Sequence, residues 1–181
     1  MQRFVALLRG VNVGKAKRVP MAELRALLSG LGHSNVATLL NSGNAVFQAT
    51  AGTPAEHAAQ ISDAIAAKLG IEVPVIVKSE KELSAIVSEN AWAIDAQAHS
   101  RLLVAFVQDP SALPALAGIE ALVVPPERFM VGNHAAYLHC AAGILESKAG
   151  AALVAKAGKA ATTRNWATVL KLHALVGAAG A

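Results

Sequence analysis

Phe4-Val5-Ala6-Leu7-Leu8 is apolar at every position, not at alternate ones. A short unbroken apolar run closed by Arg9 and Gly10 predicts a strand covered on both faces. Met21, Leu24, Leu27, Leu28 and Leu31 then recur at the helical interval, with Pro20 at the first turn and Gly32 past the end. Val36–Leu40 and Ala45–Phe47 flank the turn-forming tetrapeptide Asn41-Ser42-Gly43-Asn44, which predicts a hairpin. Pro54–Leu69 places Ala58, Ile61, Ile65 and Leu69 on one helical face and stops at Gly70, and Val73–Val77 reads as a further strand. Strand, helix, strand, strand, helix, strand is the order of a ferredoxin-like split βαβ unit.

The second half repeats that order loosely. Ser79 and Glu82 form a capping-box pair before a helix carrying Leu83, Ile86 and Val87 and ending near Asn90. Arg101–Gln108 contains the strand LLVAFV, Asp109-Pro110 starts a turn, and Ser111–Ala117 is a short helix. Leu122–Val124 is expected as a strand broken by Pro125-Pro126. Phe129–Val131 and Ala136–Cys140 form a hairpin turning at Gly132-Asn133, and Ser147–Ala157 and Asn165–Val176 are helical. The expected fold class is α+β, with two ferredoxin-like (split βαβ) subdomains packed together. The N-terminal subdomain takes residues 1–78, a bridging helix and linker 79–100, and a C-terminal α+β subdomain with a final helix 101–181.

Composition narrows the setting. No apolar run reaches 18 residues, so no transmembrane helix is expected, and the run before Arg9 is too short for a signal-peptide core. A single cysteine, Cys140, excludes an internal disulfide and fits a reducing compartment, so a cytoplasmic location is expected. The net charge of +4 is unevenly spread: residues 1–22 and 147–181 hold basic side chains and no acid, and all 12 acidic residues lie between Glu23 and Glu146. Two basic ends brought together by the fold would form a patch for an anionic partner.

The loop after the first strand has the composition for that task. Gly10 and Gly14 admit positive φ, Asn12 tolerates the left-handed region, and Lys15, Lys17 and Arg18 follow. Such a loop can aim N–H groups and cations at an anion. It is not a P-loop: Gly10 to Gly14 is one residue short, and Ala16 replaces the metal-binding hydroxyl. Nor does it carry the G-x-G-x-x-G dinucleotide pattern. In a ferredoxin-like unit the first and third strands are antiparallel neighbours, which puts Arg9–Asn12 beside Ser42–Asn44 as one polar rim.

Other chemistry is not supported. His134 and His139 differ by an odd number along strands and so face opposite ways, and no fourth ligand accompanies them and Cys140, so no metal site is expected. His33 and His57 read as surface residues beside helices, and His173 as part core. No G-x-S-x-G elbow occurs, and Cys140 in an apolar strand reads as an inert thiol. The strands lack the aromatic pattern by which RRM domains stack bases, which leaves phosphate-backbone contact as the route to nucleic acid.

Arg9-Gly10-Val11-Asn12-Val13-Gly14, Val19-Pro20-Met21 with Leu24, and Asn41-Ser42-Gly43-Asn44 before Val46-Phe47 together resemble the DUF1697 family of uncharacterised bacterial proteins. Gly143 with Ser147-Lys148, and Thr163-Arg164-Asn165-Trp166 with Thr168, Lys171 and Leu172, extend the resemblance along the chain. It implies paired ferredoxin-like subdomains and no established activity. Leu145-Glu146 departs from a Gly-Arg pair frequent in the family, which removes a positive charge, and Leu40 stands where an aromatic is common. The polar motif positions form the candidate ligand-binding set: Arg9, Gly10, Asn12, Gly14, Lys15, Ser42, Gly43, Asn44, Lys148, Arg164, Asn165 and Trp166. Thr163 or Asn165 is expected to cap the last helix, placing Arg164 and Trp166 at its N-terminus. Three readings stand at this point: a binding module for a phosphate-bearing ligand or nucleic-acid backbone, an enzyme acting on a small anionic metabolite, and a structural or interaction protein without ligand. No catalytic residue or cofactor is assignable from the sequence.

Overall fold

The computed structural model describes every residue except 15–16, 93–94, 157–159 and 179–181. The chain divides into two units, Met1–Leu83 with Leu172–Ala181, and Ser84–Lys171. Against an expected boundary at 79–100, the division falls between residues 83 and 84, and the last ten residues group with the first unit.

The first unit runs β1 (Gln2–Leu8), α1 (Met21–Gly30), β2 (Ser34–Leu39), β3 (Asn44–Ala49), α2 (Pro54–Leu69) and β4 (Val75–Ser79). Its sheet has the order β2-β3-β1-β4, with every neighbouring pair antiparallel. Strands 1 and 3 are central, as a ferredoxin-like unit requires. Phe4, Ala6 and Leu8 of β1, with Ala45 and Phe47 of β3, meet Leu24, Leu27 and Leu28 of α1 and Ala58, Ile61 and Ile65 of α2. Val5 and Leu7, on the opposite face, are buried too, which is why β1 does not alternate. Each such side chain taken from water stabilises by roughly 1.5–3 kcal/mol. Helix α2 is bounded by local chemistry: Thr53 and Glu56 exchange capping-box hydrogen bonds, Pro54 occupies the first turn, and Gly70 ends it at φ 67°.

The second unit repeats the plan. Helix α3 (Glu80–Glu89) spans the division and starts on the expected Ser79–Glu82 capping box. A 3-10 turn at Ala96–Arg101 leads to β5 (Leu102–Val107), and a 3-10 run at Pro110–Leu122 stands where α1 stands in the first unit. Then come β6 (Arg128–Val131), β7 (Ala136–His139), a 3-10 turn at Ile144–Glu146, α4 (Lys148–Lys156), β8 (Ala161–Asn165) and α5 (Trp166–Ala178), which from Leu172 on groups with the first unit. The sheet order is β6-β7-β5-β8, again all antiparallel. Leu103, Ala105, Leu138, Leu113, Leu116, Ile119 and Leu153 build its core.

Three expectations need correction. Leu122–Val124 is not a strand: the 3-10 run continues to Leu122, and Val123 and Val124 are irregular before the Pro125-Pro126 pair. Thr163, offered as a cap for the last helix, lies instead inside a strand not expected from the sequence, β8, which completes the sheet beside β5. His33 and His57 are buried, at 8% and 3% exposure, because they stack into the Phe4–Phe47 aromatic cluster. Among the described residues no helix is long and apolar enough to cross a membrane.

Candidate functional site

The end of β1 is fastened on both sides. The Leu8 N–H donates to the Gly43 carbonyl at 2.8 Å, and the Arg9 N–H to the Pro74 carbonyl at 2.9 Å. The first of these bonds places the β1–α1 loop directly against the β2–β3 turn, as the antiparallel neighbourhood predicts. Gly43 permits the approach: at φ 79° a Cβ there would lie 2.6 Å from Val11 Cγ2 and 2.7 Å from Leu8 Cβ.

The β1–α1 loop is built on one carboxamide. Asn12, at φ 57°, accepts from the Val19 N–H and donates to the Val19 carbonyl, both at 2.9 Å. Its Nδ2 also donates to the Asn41 carbonyl at 2.6 Å. The Asn12 N–H closes the loop onto the Lys17 carbonyl. Val11 and Val19 sink into the core and anchor both loop ends. Gly10, Asn12, Gly14 and Lys17 all hold positive φ here, and Leu40 holds φ 58° in the facing turn. Left-handed conformations at non-glycine residues cost energy and persist where surrounding structure enforces them.

Between these loops lies a cleft of about 340 Å³ lined by Asn12, Gly14, Arg18, Val19, Pro20 and Asn41. Arg18 is the ionisable side chain among those lining residues, and it is exposed. The cleft borders the start of α1, whose N-cap residue, Pro20, makes no side-chain cap hydrogen bond. Unmatched N–H groups and the positive end of the helix dipole lie there. Glu23, the acid of the first turn, pairs with Lys68 at 3.1 Å.

The expected site residues in this unit take distinct roles. Asn12 spends both donor hydrogens on backbone carbonyls, so it shapes the cleft. Asn44 is fully buried and donates to Leu39 O and Ser42 Oγ, both at 2.9 Å, which makes it the brace of the hairpin turn. Gly10 and Gly14 supply loop conformation, and Arg9 is half-buried at the strand end. Lys15 lies outside the described residues. Arg18 belongs to the basic run that the sequence offered for an anion, though not to the candidate set, whereas Asn41 and the Val19-Pro20 backbone were missed by sequence reasoning.

In the second unit, Lys148 is exposed at the first position of α4, whose cap is Ser147, accepting from the Gly150 N–H at 2.9 Å. Arg164 is buried in β8, one residue before the start of α5; its Nη1 donates to Thr162 Oγ1 at 3.0 Å and to the Thr163 carbonyl at 2.8 Å. Burial lowers its pKa to about 10, so it stays cationic at neutral pH. Asn165 caps α5 by accepting from the Thr168 N–H at 2.9 Å, as expected, and Trp166 is buried at the first helical position. Burial raises the Cys140 thiol pKa, which disfavours the reactive thiolate. Among the described residues no group of three His, Cys, Asp or Glu side chains gathers around a common point.

Comparison with known proteins gives a family and a fold. The model of the DUF1697 family, described as a protein of unknown function, matches residues 1–137. That span includes the cleft and excludes the motif segments from Gly143 onward. No curated protein matches the chain. Among solved structures, the conserved bacterial protein SP0830 from Streptococcus pneumoniae is similar at a TM-score of 0.76 and 22% identity, over 97% of this chain and 98% of that one. At that identity the likeness is one of fold.

Proposed function

This chain belongs to the DUF1697 family, and within that family, which has no assigned activity, we propose that it is a binding protein for a phosphate-bearing or similar anionic ligand. The ligand site is the first unit's cleft. The supporting observation is the Asn12 clamp: it holds two strained loops around an open space that Arg18 and the uncapped start of α1 both border. Arg18 supplies charge, and the first-turn N–H groups of α1 supply donors. Binding is favoured over catalysis because the described lining residues offer no side chain for proton transfer or nucleophilic attack near neutral pH. A cytoplasmic anion is the expected ligand class.

A thermal-shift series at low salt tests this, using inorganic phosphate, nucleotides, phosphorylated metabolites and short oligonucleotides on wild type and Arg18→Gln. A ligand at about 100 times its Kd adds roughly 2.7 kcal/mol to wild type, and Arg18→Gln loses most of it. A shift confined to oligonucleotides and abolished by salt assigns nucleic-acid backbone as the ligand. Equal shifts in wild type and Arg18→Gln, or none in wild type, overturn the reading.

A further inference from the structure

Between Ser84 and Glu146 the chain carries six acids (Glu89, Asp95, Asp109, Glu120, Glu127 and Glu146) and two lysine or arginine residues, Arg101 and Arg128. Acids outnumber these cations three to one, yet neither arginine forms an ion pair with a described acid. The second unit's sheet gathers the two together instead. Strand β7 lies between β6 and β5. Arg128 of β6 stands directly opposite His139 of β7, and His139 stands opposite Leu102, the residue after Arg101. The Cys140 N–H donates to the Arg101 carbonyl at 2.8 Å, and Arg101 Nη1 donates to the Ala141 carbonyl at 3.0 Å. Those bonds hold the Arg101 guanidinium at the His139 end of the sheet. The Arg128 guanidinium lies over the Trp92 ring, 4.9 Å from its centre. Both arginines are exposed, while His139 and Trp92 are half-buried.

We propose that Arg101 and Arg128, with His139 on the strand between them, form a second anion site, in the second unit, that takes a phosphate group.

The cluster is electrostatically unfavourable without an anion. Burial lowers the His139 pKa, and the Arg128 and Arg101 charges lower it further, against the opposite pull of Glu127. A phosphate among these groups turns mutual repulsion into shared attraction. The donors are there to receive it. Arg101 spends one N–H on Ala141. Stacking on Trp92 engages the plane of the Arg128 guanidinium and not its N–H fork. Such a fork matches two phosphate oxygens at once. Because the stack orients one fork in advance, less side-chain freedom is lost on binding. Two guanidinium charges also match a phosphate dianion better than a carboxylate, which carries one charge. The nearby acid, Glu127, is turned to the backbone, where its Oε2 accepts from the Val124 N–H at 3.3 Å. All of these residues belong to the second unit, and none lines the cleft beside Arg18.

Trp92 reports on the site. The chain has two tryptophans, so Trp166→Phe leaves Trp92 as the sole indole emitter. That protein is titrated at low salt with inorganic pyrophosphate and with a short oligothymidylate. Pyrophosphate changes Trp92 emission saturably. Arg101→Gln, added to Trp166→Phe, leaves the Arg128–Trp92 stack in place and weakens binding roughly tenfold or more. Arg18→Gln, added instead, leaves the Trp92 response unchanged, so this site and the first unit's cleft fail independently. Calorimetry in the Arg18→Gln background, with both tryptophans kept, repeats the comparison for Arg101→Gln and Arg128→Gln. A response to the oligonucleotide alone, abolished by salt, assigns nucleic-acid backbone as the source of the phosphate. No Trp92 response and no heat with either probe, or folded Arg101→Gln protein that binds as its parent does, would overturn the assignment.

Discussion

The carboxamide of Asn12 donates to the Asn41 carbonyl, 2.6 Å away, while holding the Val19 backbone through both its oxygen and its nitrogen. One side chain therefore sets the spacing between the two loops that border the cleft. Asn12→Ala removes three hydrogen bonds at a partly buried position. At about 1 kcal/mol net per bond the loss is roughly 2–3 kcal/mol. Asn12→Asp should cost as much or more: a carboxylate accepts from the Val19 N–H but presents negative charge to two carbonyls. The measurement is urea denaturation, where a lower midpoint at unchanged slope reports stability alone. Both variants at wild-type midpoint would mean the clamp contributes nothing.

Gly43 and Gly10 separate conformation from contact. Both hold positive φ, 79° and 64°, but a Cβ on Gly10 meets nothing within 4 Å, whereas one on Gly43 strikes Val11 and Leu8. Gly10→Ala should cost only the left-handed penalty, about 1–2 kcal/mol. Gly43→Ala adds overpacking of about 1–3 kcal/mol and pushes the β2–β3 turn off the end of β1. Hydrogen exchange at the Leu8 amide, which bonds to Gly43, should quicken in the second variant and not in the first.

How much of this was legible follows from where the signals are local. Pro54 and Gly70 bound α2, Ser79 and Glu82 start α3, and Gly132-Asn133 turns the second hairpin, because caps and turns are written in neighbouring residues. The apolar run at Phe4–Leu8 announced burial on both faces. Pro110–Leu122 was harder. Leu113, Leu116 and Ile119 recur every three residues around Pro114, the period of a 3-10 run, which a search for period 3.6 cuts short. Strand β8 was hidden because Thr162, Thr163 and Asn165 are also cap residues, and only pairing with β5 decides between the two. Asn12 and Asn44 were found for the right reason, turn chemistry, but their donors go to the protein itself. The burial of His33 and His57 depends on contacts with Phe4 and Phe47 across the sheet, which no local pattern encodes.

Glu89 ties α3 to the β6–β7 turn within the second unit. It accepts from the Asn133 and His134 N–H groups, and the Tyr137 hydroxyl lies 3.1 Å from it and 2.7 Å from the Ile86 carbonyl. Burial alone would raise the carboxyl pKa, but these hydrogen bonds outweigh it and hold the pKa below the ordinary 4.5. A depressed carboxyl pKa gives stability that is present above the unfolded value and lost as pH falls through the folded one. Glu89→Gln should cost about 1–2 kcal/mol at pH 7, because an amide keeps one acceptor and turns a donor toward a backbone N–H. The cost should shrink below about pH 4.5, as the wild-type carboxyl takes up its proton. A cost independent of pH would remove the ionised carboxylate from the account.

The two buried histidines give a pH dependence of the opposite origin in the first unit. Burial lowers the pKa of His33, and the neighbouring His57 lowers it further. Burial also lowers that of His57, with Ala51, Gln60 and Glu56 pulling the other way. The unfolded chain therefore binds protons more readily than the folded one below the ordinary value of 6.5. Stability from this pair is fully present above that pH, falls as pH drops below it, and levels off beneath the folded pKa values. Measured by urea denaturation at a series of pH values, wild type should lose stability as pH falls below about 6.5. His33→Phe should flatten that slope, since a phenyl ring fills the stack on Phe47 and takes up no proton. Relative to wild type, it should gain stability as pH falls below 6.5, where the unfolded chain's imidazole takes up a proton that the folded one resists. A wild-type slope that persists unchanged in both His33→Phe and His57→Phe would assign the dependence to other groups.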